Sequence, residues 1–234
     1  MSQETEHGFH NAAHEVEISV AENVALNGAH FQRAQSKGLV LFWHGNTGNV
    51  ARYEGHVHEF LTRGWDVLMV DYRSFGKSEG VLSQENILSD GLAVWDFAKE
   101  QYGYGLTILY GQSLGTGVAS YVAAYRPADG LILEAPYYSI QRIGERLFPI
   151  FPIAYLLEYP LPNHAFIAEV DCPILAFHGI EDRTIPYAEH GAALKADFPH
   201  MRLIPLKNGT HNNCRTFPEY AFEMDGFLIT LWQS

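Results

Sequence analysis

The chain has 234 residues, 47% hydrophobic and 18% charged, with a formal net charge of -12. That is enough apolar material for a buried core and the length of one α/β domain, residues 1–234. So acidic a chain repels phosphate backbones, which excludes nucleic acid as the expected partner and argues against adsorption to anionic lipid by charge alone.

The opening stretch, "MSQETEHGFHNAAHEVEISV", is polar and acidic. It lacks a basic segment followed by an apolar run, so it does not read as a secretory signal, and residues 1–14 are expected to form a mobile tail. "EVEISV" (15–20) alternates polar and apolar residues, as a half-exposed antiparallel strand does. No window approaches 18 consecutive apolar residues, so no membrane span is expected, and a soluble, cytoplasmic protein is.

"GLVLFWH" (38–44) is the first of a series of continuous apolar runs, the pattern of strands buried on both faces. It ends in "HGNTGN", a Gly-rich turn whose backbone N–H groups can face a site unobstructed; Asn46 N–H is the expected oxyanion donor. His44 precedes it as a loop brace. The turn lacks the lysine and spacing of a phosphate-binding loop. Val50, Tyr53, Val57, Phe60 and Leu61 then share one helical face, and Gly64 stops that helix.

"DVLMVDY" (66–72) is the next buried strand, followed by "DYRSFGKSEG" (71–80), in which Asp71 and Arg73 are expected to pair or cap the turn. Ser83 is set to cap a helix carrying Ile87, Leu88, Leu92, Trp95 and Ala98 on one stripe, with Glu85 in its first turn.

"LTILYG" (106–111) leads into Gly111-Gln112-Ser113-Leu114-Gly115 and a helix over 113–125, ended by Arg126-Pro127. G-x-S-x-G between a strand and a helix is the pattern of a nucleophile elbow. The sharp turn strains the serine backbone, excludes side chains at the flanking positions and lifts the hydroxyl off the sheet. It also turns Leu114 N–H toward a charge developing on a bound carbonyl. Ser113 is therefore the candidate nucleophile. A serine needs a base to take its proton and an acid to orient that base.

"GLILEA" (130–135) is another buried strand. Residues 136–166, aromatic and proline-rich, interrupt the strand–helix rhythm. They read as a helical pair packed on the core, or as a small cap in which Phe148, Phe151, Tyr155 and Leu156 line an acyl pocket; the two are compatible.

"PILAFH" (173–178) ends in "GIEDRTIP", which places Glu181 and Asp182 at the carboxyl end of the sheet, where catalytic groups gather. Asp182 is the favoured acid. Glu181 is its neighbour, and Glu134 is a second candidate on the preceding strand. A helix over 187–198 follows. "MRLIPL" (201–206) is a strand placed near an edge by Pro205. "KNGTHNN" then puts His211 in a loop after the last strand and before a final helix over 220–231. Of twelve histidines, His211 combines a post-strand loop with the order Ser…Asp…His. His56 and His58 lie on or beside a helix, and His190 and His200 read as solvated.

The two cysteines, Cys172 and Cys214, read as packing or bystander groups in a reducing compartment, and nothing resembles a metal site. No cofactor is expected. Strands alternating with helices argue for a mostly parallel central sheet with helices on both faces and a small helical insertion, an α/β fold.

In this order "HGNTGN", "DYRSFGKSEG", "YGQSLGTG", "HGIEDRTIP" and "NGTHNN" resemble the α/β-hydrolase superfamily, from about Val16 onward. They are most similar to its small serine-hydrolase branch, related to the yeast bud-emergence protein and the animal α/β-hydrolase-domain serine hydrolases. The resemblance implies Ser113 as nucleophile, Asp182 as acid and His211 as base, with Asn46 and Leu114 N–H as the oxyanion hole. Several relatives carry a membrane helix or a lipidated cysteine-rich start that these residues lack, which favours a soluble esterase or thioesterase acting on small to medium acyl groups. The same triad serves peptidases and acyltransferases, and a non-catalytic binding protein on the same scaffold is the rival from another class.

Overall fold

The structure, a computed structural model, describes residues 13–153 and 159–233. Eight strands form one sheet in the order β1-β2-β4-β3-β5-β6-β7-β8. They are β1 (Ala13–Ala21), β2 (Val24–Phe31), β3 (Leu39–Trp43), β4 (Asp66–Val70), β5 (Thr107–Gln112), β6 (Gly130–Glu134), β7 (Ile174–Gly179) and β8 (Arg202–Leu206). β1–β2 and β2–β4 pair antiparallel, and all other neighbours pair parallel.

The parallel strands from β3 to β7 are buried on both faces, so alternate residues feed two cores. Leu39, Leu41 and Trp43 of β3 enter one layer with Val94, Val118 and Val122. Val40 and Phe42 enter the other with Val57, Phe60, Met224 and Leu228. The first layer is covered by α2 (Gln84–Tyr102) and α3 (Gly115–Tyr125), the second by α1 (Glu54–Leu61) and α7 (Pro218–Gln233). Between these come α4 (Ile140–Leu147), α5 (Asn163–Ile167) and α6 (Gly191–Asp197).

Local signals mark the boundaries. Ser83 Oγ accepts the Asn86 N–H at 3.0 Å and starts α2. Gly103, at φ 60°, ends it. Arg126 is extended, as a residue before proline must be, and ends α3. Pro205 does lie on the edge strand β8.

Several expectations need correction. Residues 1–12 lie outside the described residues, but Ala13 and His14 of the expected tail already belong to β1. The sequence reading missed β2 altogether. The helix expected over 187–198 is only Gly191–Asp197, because residues 187–190 form a turn in which the His190 and Ala192 N–H groups donate to Pro186 and Tyr187 carbonyls. Arg73 pairs not with Asp71 but with Asp90 on α2, two bonds of 2.8 and 2.7 Å.

β3 feeds α1 on one face and then β4 to one side; β5 feeds α3 on the other face and then β6 to the opposite side. The carboxyl ends of β3 and β5 therefore flank a topological switch point, where connections diverge and leave a crevice.

Candidate active site

Ser113 sits at that switch point with φ 51°, a left-handed conformation that a non-glycine residue holds only under constraint. The constraint is visible on both sides. Its N–H donates to the Glu134 carbonyl of β6 at 2.9 Å, and its own carbonyl takes the Thr116 N–H at 2.9 Å and hydroxyl at 2.7 Å. A Cβ on Gly111 would lie 2.4 Å from the Gly115 oxygen, and one on Gly115 would lie 2.0 Å from the Trp43 oxygen. Glycine at both positions lets α3 start flush against the ends of β3 and β5.

The partners come from the other edge. A Cβ on Gly179 would meet Gly209 backbone at 2.4 Å, and Glu181 N–H donates to the Gly209 carbonyl at 2.8 Å. This backbone-to-backbone approach holds the loops after β7 and β8 together and sets Asp182 beside His211. Asp182 Oδ2 lies 2.8 Å from His211 Nδ1, and His211 Nε2 lies 3.0 Å from Ser113 Oγ. A carboxylate only accepts, so the imidazole hydrogen belongs on Nδ1; the Nε2 lone pair then accepts the serine hydroxyl. Three side chains spread over 98 residues of sequence thus meet in one line.

Asp182 is 4% exposed. Its Oδ1 accepts the Thr184 and Ile185 N–H groups, each at 2.8 Å. Burial alone would raise its pKa, but His178, His211 and the Ile185 amide outweigh burial and hold the carboxyl well below its usual range. Glu181 is exposed. Glu134 is buried and engaged elsewhere: Tyr110 donates to it at 2.5 Å and His56 Nε2 lies 3.8 Å away. Burial pushes against its ionisation, yet His56, Tyr110 and Arg215 keep its pKa below the usual value.

Leu114 caps α3 in αR geometry, and Asn46 lies exposed in the turn after β3. Among the described residues, neither N–H donates to a backbone carbonyl. The turn is braced from beneath. Tyr72 donates to the His44 carbonyl at 2.6 Å, His44 Nδ1–H donates to the Gly45 carbonyl at 2.7 Å, and Asp71 Oδ1 accepts the Val50 N–H at 2.8 Å. A side chain on Gly45 would strike Gln112 Oε1 at 2.4 Å.

A groove of about 370 Å³ opens beside the imidazole, lined by Glu181, Arg183, Thr184, Thr210, His211 and Asn212. Phe148 and Phe151 of the insertion stand about half exposed at the surface, not in an enclosed pocket. Tyr155 and Leu156 lie outside the described residues. Both cysteines are held as thiols by burial: Cys172 is pushed up to about 11 and Cys214 higher still. Among the described residues no cluster of three metal-ligating side chains occurs.

Two residues of the site escaped the sequence reading. His178 and His190 are both fully buried, and His190 is not the solvated residue its position suggested. The available signal was the position of His178, at the carboxyl end of β7 and four residues before Asp182.

Residues 34–166 match the family model described as serine aminopeptidase, S33. The chain belongs to this family. It is 29% identical over 174 residues to the lysophosphatidylserine lipase ABHD12 of Macaca fascicularis, covering 66% of this chain and 44% of that protein. It is 33% identical over 149 residues to human protein ABHD12B, covering 56% and 41% respectively. The chain thus spans less than half the length of these two relatives. An esterase of Pyrococcus furiosus, Pf2001, superposes with a TM-score of 0.77 at 21% identity over 95% of this chain and 92% of that one. Est1E of Butyrivibrio proteoclasticus, solved with ferulic acid, also reaches 0.77, at 20% identity over 94% and 100%. These superpositions show the α/β-hydrolase fold. Family and relatives place this S33 member in the serine-hydrolase branch of that fold.

Proposed function

We propose that the chain works as one α/β-hydrolase domain that cleaves carboxylic esters or thioesters of small to medium acyl groups through an acyl-enzyme on Ser113. The observation that carries this reading is the unbroken line Ser113–His211–Asp182 at 3.0 and 2.8 Å, with the serine on a strained elbow. Ser113 Oγ attacks the carbonyl carbon while its proton passes to His211 Nε2, and Asp182 stabilises the imidazolium. Leu114 and Asn46 N–H groups take the oxyanion. His211 returns the proton to the leaving oxygen or sulfur, then draws one from water as its oxygen attacks the acyl carbon, and hands that proton to Ser113 Oγ as the Oγ–acyl bond breaks and the acid leaves.

The relatives named as a lipase and as esterases support the ester reading. Phe148 and Phe151, with Tyr155 and Leu156, remain the proposed acyl-side residues, as part of a cap over residues 136–166. No helix among the described residues is long and apolar enough to cross a membrane, which fits the proposed cytoplasmic setting. The test is hydrolysis of p-nitrophenyl acetate and butyrate. Ser113→Ala is expected to reduce kcat by at least about 10³-fold with unchanged circular dichroism; wild-type rates in that variant would remove Ser113 from the mechanism.

The description of the S33 family favours a second reading, amide cleavage by the same triad. Aminoacyl p-nitroanilides separate the two: turnover of these above that of p-nitrophenyl esters would select the peptidase. Transfer of the acyl group to added alcohols would select an acyltransferase, and a folded wild-type protein that a fluorophosphonate leaves unlabelled would point to a binding module.

A further inference from the structure

His178, next to last in β7, is fully buried, and the proposed chemistry does not use it. Its Nε2 lies 2.8 Å from the Ile185 carbonyl oxygen. A carbonyl only accepts, so the ring hydrogen is on Nε2 and Nδ1 is a bare acceptor. Ile185 is also the residue whose N–H fixes Asp182 Oδ1. The same Nε2 lies 3.6 Å from Asp182 Oδ2, the oxygen that meets His211. One imidazole thus grips the 182–185 turn and turns a positive edge toward the carboxylate oxygen that orients the base.

The ring has little room to move. Tyr187 packs against it edge-on, centroids 5.6 Å apart at 80°. On the far side a Cβ on Gly191 would stand 2.4 Å from Nδ1, so the backbone of α6 lies flush against the imidazole. His190, next in line, accepts the Tyr138 N–H on Nδ1 at 3.1 Å and so carries its hydrogen on Nε2. Burial first, then His178, Arg142 and Arg146, with Asp182 opposing, lower it to about 4, so it stays a neutral imidazole. His190 Nε2 and His178 Nδ1 are both buried without a hydrogen-bond partner, one an unused donor and the other an unused acceptor.

We propose that His178 is a positioning residue for the triad: its Nε2–H, clamped between the Ile185 carbonyl and Asp182 Oδ2 and backed by Gly191, holds the carboxylate in the rotamer that His211 requires. The proposal rests on the reading of Ser113, Asp182 and His211 as the catalytic triad. Groups that orient metal-binding side chains from behind are typically worth about 10–100-fold, and the same range is expected for one that orients the acid of a triad.

The experiment compares wild type, His178→Gln, His178→Asn and Gly191→Ala, each with native circular dichroism, on p-nitrophenyl butyrate. A fluorophosphonate is used first to label wild type and Ser113→Ala. Gln carries a donor at the reach of Nε2, whereas Asn carries one too short, and Gly191→Ala pushes the ring without altering a titratable group. H178Q is expected to stay within about threefold of wild-type kcat. H178N and G191A are expected to lose about 10–100-fold in kcat with KM within about twofold. In both, the far-downfield proton resonance of His211 Nδ1–H against Asp182 should shift or broaden. Should H178N not fold, H178Q and G191A decide the matter. H178N or G191A retaining kcat within twofold, or H178Q and H178N losing equally with that resonance unmoved, would overturn the positioning role alone. Failure of wild type to label at Ser113 would overturn the triad and this role together.

Discussion

At Ser113 the energetic problem is local strain. A left-handed non-glycine residue costs on the order of 1–3 kcal/mol, and the bonds to Glu134 and Thr116 hold it there. The flanking glycines make that geometry possible, and Gly115 has less room than Gly111. Gly115→Ala would drive a methyl into the Trp43 carbonyl, 2.0 Å from the ideal Cβ position. It is expected to cost on the order of 3 kcal/mol in urea denaturation, by overpacking against backbone that cannot yield. Asp182→Asn tests the orienting acid. Its amide nitrogen can donate where the carboxylate accepts, so His211 loses the tautomer that leaves Nε2 free. A fall in kcat of about 10³–10⁴-fold is expected, with KM nearly unchanged. A loss below tenfold would return Glu134 or Glu181 to consideration as the acid.

At the scale of elements, periodicity identified the buried strands because each is apolar on both faces. β2 failed that test. "VALNGAHF" is interrupted by Asn27-Gly28, residues that ordinarily punctuate turns, yet it runs straight through. Gly28 is needed because a Cβ there would lie 2.4 Å from the Met69 oxygen of β4. α6 was overextended for a related reason: the apolar spacing continues back to Tyr187, but His190 turns inward to meet Tyr138 N–H. Ends fixed by a side-chain cap were legible, and they are independently testable. Ser83→Ala removes the acceptor for Asn86 N–H and should cost about 1 kcal/mol by urea denaturation without changing kcat. Arg73→Met is expected to cost about 3 kcal/mol, since it leaves the Asp90 carboxylate buried without its bidentate partner.

Across the whole molecule, two buried histidines govern stability in mild acid. His30 and His190 are both lowered from 6.5 to about 4, mainly by burial. Around His30, Asp66 opposes that shift and His14 adds to it. The unfolded chain therefore binds protons that the folded chain refuses between pH 6.5 and 4, and stability falls as pH drops through that window. At pH 5 the loss is at most roughly 2 kcal/mol per histidine. Asp182 is also lowered, but from the carboxylate range: its contribution is intact in this window and is lost only as pH falls below the ordinary carboxylate range. Urea midpoints at pH 7 and pH 5 check the sign. His30→Phe should flatten the slope, and an unchanged slope would mean that His30 is protonated in the folded state.

The sequence by itself determined the layer architecture and singled out Ser113 and His211 as candidate nucleophile and base. Strand burial and helix stripes are written as local periodicities, and the elbow and the loop after β8 are fixed by residue type and chain order. Only the tertiary structure decided which of Glu134, Glu181 and Asp182 meets His211, because that choice depends on Gly179 lying against Gly209 across two loops. It alone turned Arg73 toward Asp90, buried His190 and set His178 behind the acid. Each is a contact between residues distant in the chain or on opposite sides of a turn, and chain spacing carries no record of which side chains the folded backbone will bring within hydrogen-bond reach.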